Sequence, residues 1–264
     1  MKRLILGAVL ASLTATAAFA EEMKLAVTTS FHNSGLSDIL VPQIKADTGI
    51  EVQLLVVGTG QAIRLGEAGD VDAILVHSRK AEDAFLADGY GTHRREIMYN
   101  DFVLIGPSDD PAGIAGAESA VVALVAIAEV QADFVSRGDD SGTHKKELSL
   151  WAAAGVAPQG DWYKAVGAGM GASLNTAAGL GAYIMSDRAS WLNFANKADQ
   201  ALLFAGDPVL FNQYAFLPVN PERHPHVKAE LAEKLEAWLV SDKAKDLING
   251  YTINGETLFT FNAK

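Results

Sequence analysis

Short apolar runs alternate with amphipathic segments through the first part of the chain, and a polar turn joins each run to the segment after it. Short runs rich in β-branched residues predict strands, whereas apolar positions spaced three or four residues apart predict helices. The predicted strands are Lys24–Thr28, Glu51–Val57 and Val71–Val76, and helical patterns follow at Leu36–Ala46, up to Glu67, and at Lys80–Ala87. Three consecutive strand–turn–helix units are typical of a parallel, doubly wound α/β sheet.

Two longer apolar runs, Met98–Ile105 and Leu210–Val219, interrupt this alternation. The stretch between them has the length of an ordinary domain, so we predict two crossings between two lobes, each with a doubly wound, mostly parallel sheet. The first lobe would combine residues 21–100 with 214–264, and the second would comprise residues 101–213. Further helices are predicted at Glu118–Glu129, Lys145–Ala154, Ala177–Met185 and Pro225–Val240.

The first twenty residues have the pattern of a secretory signal peptide. Lys2 and Arg3 precede the apolar run Leu4–Ala11, and Ala18-Phe19-Ala20 is a small-x-small cleavage site. The apolar run is too short for a stable membrane span, although an uncleaved signal anchor stays open as the alternative. We therefore expect export to the periplasm and cleavage after Ala20.

Composition narrows the classes of function. The chain has no cysteine, so an exported protein of this sequence relies on packing rather than on disulfides. Its formal net charge is −11, which disfavours nucleic acid and anionic membrane surfaces as partners. If the protein binds an anion, local hydrogen-bond donors must hold it despite the negative net charge of the chain.

The turn Ser136–His144 is the strongest candidate for such a site, and we call it the Arg137 turn. It lies between the predicted strand Val130–Val135 and the helical pattern from Lys145. A helix start leaves backbone N–H groups unpaired, and the helix dipole favours an anion there. Arg137 adds a planar fork of donors, and Ser141 and Thr143 add hydroxyls.

A plainer interpretation of the Arg137 turn is a surface ion pair, which would stabilise the protein little. We expect Asp139 and Asp140 to cap the following helix or to pair with Arg137. Alternatively, one of these carboxylates could accept a hydrogen bond from a protonated oxyanion such as phosphate.

Three other turns follow predicted elements and are rich in hydroxyl groups and glycine. Ligands of open α/β sheets lie beyond the carboxyl ends of the strands, where such turns meet. Thr28-Thr29-Ser30 could cap a helix or contact a ligand, and Gly58-Thr59-Gly60 could offer backbone donors. For Ser173–Thr176, ordinary turn and cap chemistry is the better interpretation.

The sequence offers little support for catalysis. It contains no phosphate-loop motif and no Gly-x-Ser-x-Gly elbow, and its six histidines match no metal-ligand spacing. We therefore predict no cofactor, no resident metal and no enzymatic activity. Two alternatives stay open: an exported hydrolase that uses Ser30 or Ser141 with His144, and a purely structural protein.

Four segments together resemble the substrate-binding component of tungstate ABC importers of the TupA type. They are Thr28-Thr29-Ser30, Val57–Ala62, Val71–His77 and, with most weight, Ser136–His144. The resemblance covers essentially the whole chain after Ala20. It implies a two-lobed periplasmic binding protein of type II that closes over tungstate, with comparable recognition of molybdate. Part of the Arg137 turn is also similar to the turn of phosphate-binding proteins, so a phosphate receptor is the alternative.

The resemblance also implies contacts and partners. Tungsten or molybdenum would be bound only as the oxyanion, and the loaded protein, expected to be a monomer, would deliver it to an ABC permease in the inner membrane. The principal side-chain contacts would come from Thr28, Ser30, Arg137 and Thr143, with Thr29 beside them and backbone N–H support near Gly58, Thr59, Ser141 and Gly142.

Overall fold

The computed structural model describes residues 21–139 and 141–264. The predicted signal peptide and Asp140 lie outside the described residues. Within these two ranges, no helix is long and apolar enough to cross a membrane.

Most of the strands join one large mixed sheet. Its order is β2-β1-β3-β9-β4-β7-β5-β6, with β8 and β12 paired to β4, while β10 and β11 form a separate hairpin. The strand bounds are β1 Glu21–Thr28, β2 Ile50–Val57, β3 Ala73–Val76, β4 Arg95–Pro107, β5 Phe134–Ser136, β6 Tyr163–Ala165, β7 Tyr183–Asp187, β8 Gln200–Phe204, β9 Phe211–Pro218, β10 Thr252–Ile253, β11 Glu256–Thr257 and β12 Thr260–Phe261.

Parallel pairing occupies both ends of the sheet. β1 pairs parallel with β2 and β3, and β5 pairs parallel with β6 and β7. The two long strands at the centre, β4 and β9, pair antiparallel with each other. The predicted α/β class, with parallel strand–turn–helix units, is confirmed.

Strand β4 links the two ends of the sheet because its partner changes along its length. It pairs with β9 up to Asp101, with β7 from Phe102 and with β8 from Leu104. We call β1, β2, β3 and β9 the first half of the sheet and β5 to β8 the second half. The predicted lobe boundaries at residues 100/101 and 213/214 stay a prediction.

Helices cover the sheet and follow the parallel strands. Their bounds are α1 Thr29–Asn33, α2 Leu36–Thr48, α3 Thr59–Ala68, α4 Arg79–Ala87, α5 Ala120–Val130, α6 Gly142–Ala153, α7 Met170–Leu180, α8 Arg188–Asn193, α9 Ala229–Leu239 and α10 Asp242–Gly250. The largest apolar core joins Val27 and Leu75 of the first half to Ile105 and Ile184 around the crossing strand. The two halves therefore share one apolar seam along β4.

One predicted helix is wrong. The segment Ala177–Met185 divides into the end of α7 and the buried strand β7. Gly181 has φ of 61°, a left-handed conformation that glycine adopts easily, and it ends the helix after Leu180. A short apolar run such as Tyr183–Met185 does not distinguish strand from helix by periodicity, which explains the error.

The predicted turn at Ser173–Thr176 is also wrong, because these residues lie inside α7. The Ser173 hydroxyl donates to the carbonyl of Gly169, and the Thr176 hydroxyl donates to the carbonyl of Ala172. Both side chains are thereby bonded to their own helix.

Candidate functional site

The parallel strands β1 and β3 end close together, and the antiparallel strand β9 runs beside β3. Val27 is in register with Leu75, and Val76 is in register with Ala215. His77 and Tyr214 therefore lie side by side, and Thr28 lies one residue short of their level. Polar groups from three distant parts of the chain meet there.

Ser30 is the centre of this group. Its Oγ lies 3.1 Å from Thr28 Oγ1, 3.1 Å from His77 Nε2 and 3.1 Å from the Tyr214 hydroxyl. Tyr214 is fully buried, and burial raises the pKa of its phenol to about 12, so the hydroxyl keeps its proton. The position of Ser30 Oγ is consequently fixed from three directions.

Thr28 caps helix α1, because its Oγ1 accepts a hydrogen bond from the backbone N–H of Phe31 at 3.3 Å. A hydroxyl that accepts a hydrogen bond still carries a proton to donate. Capping the helix and contacting an anion are therefore compatible for Thr28. Thr29, the first residue of α1, is exposed.

Gly58 precedes helix α3 and follows the strand that pairs with β1. Because Val57 is in register with Thr28, the start of α3 lies beside the start of α1. No side chain caps α3, and a methyl group built on Gly58 would meet no atom within 4 Å. The N–H groups of Thr59 and Gly60, at the start of α3, have no partner within the helix.

Within the Arg137 turn, an ion pair sets the direction of the guanidinium. Nε and Nη2 of Arg137 donate to Oδ2 of Asp139 at 3.1 and 2.5 Å, and Oδ1 of Asp139 accepts the Ser141 N–H at 3.2 Å. Burial alone would raise the pKa of Asp139, but the hydrogen bonds from Ser141 and Arg137 outweigh it and lower that pKa. The expected pairing of Asp139 with Arg137 is present, and the expectation for Asp140 lies outside the described residues.

Ser141 begins helix α6 and uses its hydroxyl as the cap, which accepts the His144 backbone N–H at 3.3 Å. Gly142 is exposed, whereas Thr143 is buried in the first turn of α6. The sequence therefore predicted correctly that a polar turn leads directly into a helix here.

The buried carboxylate of Glu147, in α6, holds the first residue of the Arg137 turn. Glu147 accepts hydrogen bonds from the Ser136 hydroxyl at 2.7 Å, the Tyr163 hydroxyl at 2.7 Å and Trp151 Nε1 at 3.1 Å. Burial raises the pKa of Glu147, and these donors oppose that effect. Because Ser136 starts the turn and Glu147 belongs to α6, the bond fixes the two sides of the turn relative to each other.

The Arg137 turn reaches the strand ends of the first half. A methyl group built on Gly142 would lie 3.7 Å from Cε1 of His77, which is ordinary van der Waals contact. Ser30, His77 and Gly142 are thereby brought together, and the remainder of the turn continues from Gly142 back to Arg137.

His77 contributes no positive charge at neutral pH. Burial of the ring lowers the pKa of His77 to about 4, and a hydrogen bond with the Asn212 side chain offsets this only in part. Asn212 is held in turn by Asn100, whose Oδ1 accepts its amide N–H at 2.9 Å. A fixed positive charge at this site would therefore have to come from another group, and Arg137 is the candidate that the sequence offers.

The arrangement is rich in hydrogen-bond donors, and its serine–histidine contact differs from the pairs predicted for a hydrolase. The histidine bonded to Ser30 is His77, and Ser141 meets His144 through the backbone N–H. Among the described residues, no group of three or more His, Cys, Asp or Glu side chains could hold a metal ion. Hydroxyls, backbone N–H groups and one guanidinium can replace the hydration shell of an oxyanion.

Sequence reasoning missed His77 and Tyr214 as members of the site. A polar residue directly after the predicted strand Val71–Val76 was a usable signal for His77. Tyr214 lies inside an apolar run and gave no signal of its own.

Known proteins resemble this chain over most of its length. A family model described as a PBP superfamily domain matches residues 14–243. The tungstate-binding protein TupA of Peptoclostridium acidaminophilum is 45% identical over 243 residues, which is 90% of this chain and 85% of that protein. A solved structure of the tungstate-binding protein TupA from Desulfovibrio alaskensis G20 is 45% identical, with a TM-score of 0.89 over 93% of this chain and 100% of that chain. A structure of the tungstate ABC transporter from Geobacter sulfurreducens is 47% identical, with a TM-score of 0.77 over 88% of this chain and 99% of that chain.

The lowered pKa of His77 predicts a specific pH dependence of stability. At pH values between about 4, the pKa of His77 in the folded protein, and its ordinary pKa of 6.5, the unfolded chain binds more protons at this residue than the folded protein does. The free energy of unfolding should therefore fall as the pH decreases through this window, and His77→Phe should reduce that fall. Urea denaturation of both proteins at about pH 7 and about pH 4.5 measures the difference.

His32→Phe is the matched control, because His32 is exposed on α1. This variant should keep the pH dependence of the wild type. A ring titration of His77 near pH 6.5, followed by NMR, would contradict the account.

Proposed function

The chain belongs to the TupA family of tungstate-binding proteins within the PBP superfamily, and we propose that it is the substrate-binding protein of a tungstate ABC importer. The proposal has two supports. Identity of 45% to a tungstate-binding protein extends over most of the chain, and Ser30, His77 and Gly142, which lie in three of the segments that resemble the family motifs, come together in the structure.

The observation that carries the proposal is the approach of the Arg137 turn to Ser30 through His77. Two regions of the chain with hydroxyls and helix starts thereby face the same space. We assign the contacts with the oxyanion to Thr28, Thr29, Ser30, Gly58, Thr59, Arg137, Ser141, Gly142 and Thr143.

The geometry explains how such a site would hold a dianion. Asp139 accepts hydrogen bonds from Nε and Nη2 of Arg137, and we assign the remaining N–H groups of the guanidinium to the ligand. Thr28 accepts a backbone N–H group as a cap and keeps its hydroxyl proton to donate, whereas the Ser141 side chain is hydrogen-bonded to Asp139. Fixed donors of this kind replace the water that the oxyanion loses on entry.

The state of Asp139 bears on the choice between tungstate and phosphate. A protonated phosphate has an O–H that needs an acceptor, and Asp139, the described candidate, already accepts hydrogen bonds from Arg137 and Ser141 on both oxygens, which reduces its capacity to accept one more. Tungstate and molybdate dianions have no proton to donate. We therefore favour tungstate, with molybdate as a second ligand, over phosphate.

The remaining parts of the proposal concern the cell. We propose a non-enzymatic role, because a relative 45% identical is a binding protein and because the imidazole that contacts Ser30, with its pKa lowered to about 4, would be a weak general base. The protein would be exported to the periplasm, with its signal peptide cut after Ala20, and would act there as a monomer. Its partner would be the inner-membrane permease of the same importer.

Calorimetry of the mature protein with tungstate, molybdate, sulfate and phosphate tests the proposed function. Tungstate and molybdate should bind most tightly, and tungstate should raise the melting temperature because a ligand stabilises the state that binds it. Tight phosphate binding without a response to tungstate would instead identify a phosphate receptor. The absence of any thermal shift with all four anions would indicate a structural protein.

Arg137→Ala should weaken tungstate binding by at least about 100-fold, or ~3 kcal/mol, because the buried anion would lose its side-chain cation. Arg137→Lys should fall between this variant and the wild type, since lysine keeps the charge and loses the fork. Lys45→Ala is the charge-matched control: it removes one positive charge from an exposed pair with Glu51 near the opposite ends of the strands. Unchanged affinity in Arg137→Ala would remove Arg137 from the site.

A further inference from the structure

His77 and Tyr214 come from the first half of the sheet, and neither belongs to the contact set assigned above. We propose that His77 is a positioning residue of the oxyanion site. Together with Tyr214 it holds the Ser30 hydroxyl in place, and its ring forms the surface that the Gly142 end of the Arg137 turn meets. This inference rests on the proposed function.

The first support is the rigidity of the ring. The His77 imidazole packs against Tyr214 with ring centroids 4.7 Å apart and an interplanar angle of 47°. Tyr214 is fully buried and contacts the rings of Phe31 and Phe259, at centroid distances of 6.2 and 5.8 Å. The imidazole therefore rests on a support that is itself packed in the core.

The second support is the chemistry of a neutral imidazole. It carries one N–H and one bare nitrogen, so it can hold the Ser30 oxygen as a donor or as an acceptor. Once Ser30 turns its proton toward a bound oxyanion, an Nε2–H on His77 can still donate to Ser30 Oγ. A charged ring could only donate, and the burial of His77 disfavours that form.

The third support is the approach of Gly142. Its φ is not in the left-handed region, so backbone conformation does not require glycine here. An added methyl group would already be in contact with His77 at 3.7 Å, and a longer side chain would press on the ring. His77 is therefore the surface of the first half that faces this part of the Arg137 turn.

A double-mutant cycle distinguishes positioning through Ser30 from general packing. Tungstate affinity is measured by calorimetry for the mature wild type, Ser30→Ala, His77→Phe and the double variant. Each single variant should lose about 10-fold or more in affinity, and the double variant should be no weaker than Ser30→Ala within about twofold. His32→Phe, on the exposed side of α1, should bind like the wild type.

The outcomes separate this inference from the proposed function. A wild type that does not bind tungstate overturns the proposed function and removes the premise of the inference. Tungstate binding by the wild type, with unchanged affinity in His77→Phe or with losses that add in the double variant, overturns the inference alone. If His77→Phe does not fold, His77→Leu takes its place in the cycle, because it also removes the ring nitrogen bonded to Ser30 and leaves Tyr214 unchanged, and the same non-additivity is required.

Discussion

Removing an oxyanion from water costs more free energy than any one hydrogen bond returns, so a binding site must present several fixed donors at once. This constraint explains the architecture around Ser30 and Arg137. Parallel strands deliver the starts of α1 and α3 to one edge of the sheet, and the antiparallel strands β4 and β9 connect that edge to the second half. At this end of the sheet, Gly142 at the start of α6 approaches the ring of His77.

Hydrogen bonds within each turn hold the side chains around the site in fixed positions. Asp139 sets the direction of Arg137, Glu147 ties Ser136 to α6, and the caps at Thr28 and Ser141 fix two hydroxyls. The whole chain carries a net charge of −11, so these local donors act against an unfavourable overall field. A guanidinium held by hydrogen bonds within its own turn is suited to that task, because its charge does not depend on pH.

The sequence predicted the strand–turn–helix units and the Arg137 turn because both are local patterns. Periodicity identified β1 to β3, and the polar turn before α6 combined an arginine, a glycine and hydroxyls within a few residues. It failed at Tyr183–Met185, where a short apolar run fits strand and helix equally well. It also missed the joining of His77 to Tyr214, since only the pairing of β3 with β9 brings these distant residues together.

The most direct test of the central claim is a crystal structure with tungstate, in which anomalous scattering locates the metal atom of the oxyanion. The account predicts one strong tungsten peak between the start of α1 and the Arg137 turn, with its oxygens in hydrogen-bonding distance of Ser30 Oγ and the Arg137 guanidinium. A fully occupied tungsten peak elsewhere on the protein, with this space empty, would contradict it.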